Sequence, residues 1–421
     1  MDIVLNLQFN VDTVGIVFSI LSAIVFLTAG VFSFEYMKHE GHHVRYTIFY
    51  VIAFFVLQAL CFAGNLITYY FFFEMLTLST FPLVLHNGSR EATMAGLKYL
   101  FYSLCGAYMV LFGLYFSANQ APFMLGGNMT DILTNPDVMA KSGTLYTLCV
   151  VLMVFGFGVK AGMFPMHAWL PTAHPVAPAP ASAVLSAVIV KAGVLGIIRT
   201  VFYVYGADFV SGTVAKKIFM SITLITVFMG SMLAFRENGL KKRLAYSTVS
   251  QVSYILYGLV TFTDTGFRGA IFQSVAHGVV KCGLFLCAGA IIYKTGKTKV
   301  SELRGIGKQM PFTMVCFTVL SLSLIGIPPT GGFVAKWYLA IGSLESGASV
   351  FNWLGPVILL VSALLTAGYL LPISMRGFFP GDDFDTENVE KLEPNMLMTV
   401  PIAVLTVLAV AIGLFPGLIN F

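Results

Sequence analysis

Six basic side chains lie inside long apolar stretches of this sequence: Lys98, Lys160, Lys191, Arg199, Lys281 and Lys336. Against them stands one deep carboxylate, Glu74, in the run YYFFFEMLTL. Placing a charge at the centre of an apolar span costs about 2.5–3.5 kcal/mol even on the lenient insertion scale, so such groups face protein or a wet cavity and need partners. Lys98 and Arg199, nearer the ends of their stretches, are expected to reach back to the interface along their alkyl stems. Lys160, Lys191, Lys281 and Lys336 have no such escape. An amine in low dielectric loses part of its preference for the charged form and can pass a proton on. A carboxylate brought close has the opposite effect, so the position of Glu74 would set how firmly Lys160 holds its proton. His277 and Lys281 are four residues apart and share a helical face, and His167 and His174 bring near-neutral imidazoles to a proline-rich segment. These residues together suit a proton relay within a membrane. Four lysines facing one glutamate make a purely structural set of ion pairs the weaker reading.

The elements that hold them follow from composition. Of 421 residues, 57% are hydrophobic, 14% aromatic and only 10% charged, far from the balance of a soluble domain. The chain therefore reads as an integral membrane protein. No short basic-then-apolar leader with a cleavage site opens it, and the first apolar stretch is expected to be retained. Cys61, Cys105, Cys149, Cys282, Cys287 and Cys316 all lie in apolar runs without C-x-x-C spacing, which argues against disulfides, iron–sulfur clusters and metal sites. Stretches long enough to cross about 30 Å of hydrocarbon number twelve, at about 13–33, 46–63, 65–86, 91–117, 145–166, 178–204, 216–235, 244–262, 268–293, 312–341, 352–378 and 395–418. With the N-terminus outside, the inner loops hold fourteen Lys/Arg and the outer ones four, Lys141, Lys216, Lys217 and Arg268. The positive-inside bias thus predicts both termini outside. The net charge of +5 is that loop bias and points to no nucleic acid. His39, His42 and His43, in the first inner loop, read as a solvated, headgroup-facing cluster.

Two pentamers, GFGVK ending at Lys160 and GFVAK ending at Lys336, each adjoin a helix breaker. After Lys160 come Pro165, Pro171, Pro175, Pro178 and Pro180; before Lys336 comes GIPPTGG. Irregular backbone at membrane depth is tolerated only where it is buried or lines water, and paired discontinuous helices mark transporter ion sites. Counting from the two breaks predicts an all-α membrane fold of about twelve helices with two inverted five-helix repeats, each with one broken helix. An odd number of spans per unit is what inverts the second unit. The chain divides accordingly into an N-terminal peripheral helix (1–45), a first repeat (46–204), a second repeat (205–378) and a C-terminal loop and helix (379–421). APASAVLSA supplies small residues for close helix contact. The acidic run GDDFDTENVE reads as a solvated loop able to dock a peripheral subunit.

The runs FFFEMLTLSTFPLVL, GFGVKAGMFPMHAWLPTAHPVAPAPASAVLSAVIVKAGVLGIIR, RENGLKKRLAYSTVSQ, HGVVKCGLFLCAG and LSLIGIPPTGGFVAKWYL resemble the antiporter-like subunits L, M and N of complex I. They resemble equally the corresponding subunits of membrane-bound hydrogenases and the D-type subunit of Mrp sodium/proton antiporters. The resemblance implies that Glu74 is the membrane glutamate, Lys160 the lysine of the first broken helix, Lys191 the bridging lysine, His277 and Lys281 the central pair, and Lys336 the terminal residue, which some relatives replace by Glu. It also implies that the chain lacks the family's first two helices and the lateral helix of subunit L. By this resemblance the chain translocates protons or sodium within a complex I-like or hydrogenase-type redox assembly, to which HPVAPAPASAVLSAVIVKAG reads closest. The alternative is a non-redox Mrp assembly. The implied partners are other membrane subunits, antiporter-like neighbours among them, peripheral redox subunits and the lipid bilayer. Any oxidoreductase chemistry, and any cofactor, would belong to those subunits. The expected location is a prokaryotic plasma membrane. The implied sequence of events is a disturbance from a neighbouring subunit that shifts Glu74, then proton transfer from Lys160 through Lys191 and His277/Lys281 to Lys336, with His167 and His174 as accessory relays.

Overall fold

Short polar side chains start the helices where the sequence places them. Asp12 accepts from the Gly15 amide to open α1 (Thr13–Glu40), Asn65 from Thr68 to open α3 (Leu66–Val84), and Asn135 from Asp137 to open α5 (Pro136–Ala161). Each satisfies an amide that the first turn leaves without a helical partner. Between them lie α2 (His43–Cys61) and α4 (Arg90–Ala118). In this computed structural model the described residues are 7–118, 133, 135–381, 384 and 389–418; most of the acidic run at 381–390 lies outside them.

Among the described residues ten helices are long and apolar enough to cross a membrane, and there is no strand, only two isolated β-bridges. Beyond α5 come a short α6 (Leu170–Val176), then α7 (Ala179–Val204), α8 (Ala215–Arg236), α9 (Leu240–Val260) and α10 (Asp264–Thr295). The last four are α11 (Pro311–Ile325), α12 (Gly331–Glu345), α13 (Val350–Phe378) and α14 (Met396–Leu414). α9 has the length of a span but opens with Leu-Lys-Lys-Arg and carries a column of Ser, Thr, Gln and Tyr, so it is not among the ten.

Both breaks differ in detail from the sequence expectation. Rather than running over 145–166, the helix bearing Lys160 starts at Pro136 and stops at Ala161, because Gly162 caps it with a left-handed φ of 80° and Pro165 follows. The stretch 312–341 is two helices separated at 326–330, the first closed by Gly326 at φ 95°. Lys160 thus precedes its break and Lys336 follows its own. Glycine suits both corners because a Cβ there is strained.

Burial ranks the helices. The most apolar 18 residues of α7 are 100% buried and those of α10 are 89% buried, against 33–56% for the other eight spans. α7 and α10 are therefore the axis of the molecule, and they carry Lys191, His277 and Lys281. α7 also contains two π-helical turns, Leu185–Ile189 and Arg199–Val204, widened turns of the kind found at functional sites. Lys191 lies just beyond the first, and Arg199 opens the second.

Candidate functional site

Lys160, Lys191, His277 and Lys281 are each 1% exposed or less. Lys160, in the last turn of α5, donates from Nζ to Thr77 Oγ1 at 2.5 Å. It also sits over the rings of Phe73 at 4.8 Å and Tyr99 at 5.4 Å. Thr77 in turn donates to its own helix at Phe73 O, 3.3 Å away. Glu74, three residues before Thr77 on α3, makes no ion pair within 4.0 Å among the described residues, and its buried Oε1 has no hydrogen-bond partner. The Glu74 carboxylate and the Lys160 ammonium are therefore not paired directly. Rings and a hydroxyl hold Lys160 in place of a counter-ion, an arrangement that leaves its charge responsive to any movement of Glu74.

At the centre, Lys191 Nζ lies 2.7 Å from His277 Nδ1, so the bridging lysine and the central histidine are hydrogen-bonded across the two axial helices. With Lys191 as donor, His277 carries its own proton on Nε2. That Nε2 has no protein partner. It lines a cavity of about 10 Å³ with Gln251, Gln273, Ser323 and Lys336. Three more buried polar atoms among those lining residues are likewise unpartnered: Gln251 Nε2, Gln273 Oε1 and Ser323 Oγ. A space of that size holds about one water, and four unpaired polar atoms are what a water needs there. Lys281, one turn from His277, turns instead to α9, donating to Leu244 O at 2.8 Å and closely to Ser247 Oγ. His277 and Lys281 thus share a face without sharing a bond.

Lys336 reaches back across the second break to Leu324 O at 2.5 Å and Ile325 O at 3.0 Å. These carbonyls at the end of α11 lie at the negative pole of its helix dipole. His174 is fully buried, stacked on Phe285 at 4.9 Å, with neither ring nitrogen bonded. His167 stacks on Phe164 at 6.0 Å, its Nδ1 also unpartnered. Pro175, Val176 and Ala177, next in sequence to His174, line a cavity of about 570 Å³ with Glu40, Glu91, Lys242 and Lys299. Lys241, also at its wall, donates to Ala177 O at 2.7 Å. His39 stacks on Tyr293 at 4.4 Å.

One expectation is corrected outright. Arg199 does not reach for the interface. It is buried, donating to Asp12 Oδ2 at 2.6 Å and Oδ1 at 2.5 Å, with Tyr203 adding a 3.0 Å bond to the same carboxylate. The π turn that it opens aims the guanidinium at the start of α1 rather than along its own helix. Burial works against the charged form of Asp12, but Arg199 and Tyr203 outweigh it and hold the carboxyl below the usual carboxylate range. Sequence reasoning missed Asp12, whose only local signal is its helix-capping position. It also missed Gln251 and Gln273, which stand in apolar surroundings and could have been noticed for that reason.

Residues 63–367 match the family described as NADH:quinone oxidoreductase/Mrp antiporter, transmembrane. The chain belongs to that family. It is 34% identical over 371 residues to NADH-quinone oxidoreductase subunit N of Desulforudis audaxviator, covering 85% of this chain and 72% of that protein. It is 26% identical to the D-type Na(+)/H(+) antiporter subunit of Alkalihalophilus pseudofirmus, over 94% of this chain and 77% of that one. Among solved structures, a chain of the membrane-bound sulfane sulfur reductase, an archaeal respiratory membrane complex, superposes with a TM-score of 0.86 at 22% identity, covering 99% of this chain and 82% of that chain. That likeness establishes the antiporter-like helical fold.

Proposed function

We propose that this chain carries protons across a prokaryotic plasma membrane as one antiporter-like subunit of a redox-driven assembly of complex I or membrane-bound hydrogenase type. The observation that carries this reading is the buried polar line from the Lys191–His277 hydrogen bond, across a water-sized cavity, to Lys336. In it, Lys191 passes its proton to His277 Nδ1 as the proton on Nε2 leaves through one water for Lys336, so the imidazole ends with one proton and the line has moved one. Lys160 resupplies Lys191, and Glu74 governs when Lys160 lets go. Glu74 as a whole is partly exposed on α3, so a charge on a neighbouring subunit can act on it from outside. The 570 Å³ cavity lined by Pro175, Val176 and Ala177 suits uptake at the basic, inner end, with both termini outside. Units 46–204 and 205–378 would then be the two inverted halves, and redox groups would sit on other subunits.

An Mrp-type assembly is the second reading, supported by the 26% identity to the D-type antiporter subunit. Purifying the intact complex and identifying its subunits separates the two, since iron–sulfur and nickel- or quinone-site subunits accompany only the first. For the site itself, Lys191→Met in the whole complex, reconstituted in sealed vesicles, is expected to abolish translocation with assembly retained on a native gel. Translocation at the parent rate would overturn the line of stations.

A further inference from the structure

The line of stations ends at Lys336, inside the bundle, and a relay needs a way out. Ser343 lies seven residues further along α12, two turns on and on the same face. Its hydroxyl is 2.6 Å from Tyr257 Oη of α9, and both residues are fully buried. Many buried hydroxyls of this chain bond back to their own helix four residues earlier, as Thr223 does to Phe219, Ser274 to Ala270 and Ser321 to Phe317. That habit satisfies the group at no structural cost. Ser343 does not follow it. It instead meets Tyr257 and donates across to Phe351 O at 3.1 Å, which Tyr257 Oη also approaches at 3.2 Å. Ser346 Oγ, one turn further, bonds Asn352 Oδ1 at 2.9 Å, and Asn352 is partly exposed at the end of α13. On the other side, Tyr254 lies one turn before Tyr257 on α9, and Lys336 Nζ sits over its ring at 5.4 Å.

A second observation concerns the space these hydroxyls occupy. A Cβ placed on Gly355 of α13 would collide with Tyr257 Oη and Ser343 Oγ, and these side chains, not a helix backbone, are its nearest neighbours. The glycine thus leaves room for a polar pair rather than for close backbone contact.

Resting on the translocation reading, we propose that Tyr257 and Ser343, in the space left by Gly355, form the hydroxyl relay that carries the proton from Lys336 to the outer surface. A water takes the proton from the Lys336 ammonium and gives it to Tyr257 Oη as the phenol's own proton moves to Ser343 Oγ. The serine's proton leaves to water beside Asn352. Each oxygen ends with the protons it began with, Lys336 is left a neutral amine, and the outer water has gained one proton. Such a relay carries protons and not sodium.

The test uses the complete complex in sealed vesicles, with assembly checked by native gel. Ser343→Ala and Tyr257→Phe are expected to lower proton translocation at least fivefold, and Ser343→Thr, which keeps the hydroxyl, to stay within twofold of the parent. Gly355→Ala, which keeps both hydroxyls but fills their space, is expected to behave as Ser343→Ala does. Ser362→Ala, in an equally buried hydroxyl cluster with Ser231 and Ser250, should have no effect. Parent-like translocation by Ser343→Ala and Tyr257→Phe, with Lys191→Met inactive, would overturn the relay and leave the central line standing. Equal loss in Ser343→Ala and Ser343→Thr would also overturn it, by making the position one of packing. The serine pair decides the matter even if Gly355→Ala does not assemble.

Discussion

Lys160 bonds Thr77 and makes no ion pair with Glu74, and that separation gives each residue its own testable role. Glu74→Gln keeps the volume and removes the charge, so translocation is expected to collapse while the complex still assembles. Lys160→Met is expected to abolish translocation as well, since it leaves no charge or titratable group to respond to Glu74. Lys336→Glu should retain measurable translocation, because a titratable group still stands at the end of the line. Vesicle transport measured for all three, with native-gel controls, checks the division of roles, and complete loss in Lys336→Glu would refute it. The buried lysines were legible in the sequence because a lysine in an apolar run has no ordinary explanation. Their partners were not. Hydrogen bonds such as Lys191–His277, 86 residues apart, depend on which helix faces which, and neutral partners such as Gln273, Thr77 and Ser343 carry no charge to single them out.

At the scale of elements, the breaks and the side of each on which its lysine falls were legible from Pro and Gly, whereas the residues at which the helices start and stop were not. Left-handed Gly162 and Gly326 decide where the two interrupted helices stop. The Asp12–Arg199 pair was illegible for another reason: its partners lie 187 residues apart. The pair ties the start of α1 to the π turn of α7. Breaking one partner of a buried ion pair costs about 3–5 kcal/mol; because Asp12 is partly exposed, Asp12→Asn is expected to cost about 3 kcal/mol at neutral pH. Asp12 is held below its ordinary range, so its contribution is complete above the unfolded carboxylate value of about 3.9 and fades as pH falls through the lower folded value. Thermal melts in detergent should therefore show parent and Asp12→Asn well separated at pH 7 and converging in acid. A gap that persists unchanged to the lowest pH at which the parent still folds would assign the loss to shape rather than charge.

For the whole molecule, the outward release proposed for Lys336 requires a fixed orientation. The end that gathers Glu40, Arg90, Lys242 and Lys299 is the basic one, and the positive-inside rule predicts that it lies in the cytoplasm. On that prediction the end that holds Asp12, Lys141, Lys217 and the Tyr257–Ser343 pair would face out, and the proposed relay would discharge there. If the molecule sat the other way up, the same relay would carry protons inward. Labelling of single introduced cysteines in whole cells distinguishes the two. Of the six native cysteines, five are buried and Cys105 is partly buried on a membrane-spanning helix, which keeps the background from a membrane-impermeant maleimide low. Lys141 and Lys217 are exposed at one end, Arg90 and Ser301 at the other, so none of the four changes disturbs the core. Lys141→Cys and Lys217→Cys are expected to label in intact cells, and Arg90→Cys and Ser301→Cys only after permeabilisation. The reverse pattern would turn the molecule over, make Tyr257 and Ser343 part of the uptake path and leave the 570 Å³ cavity as the point of release.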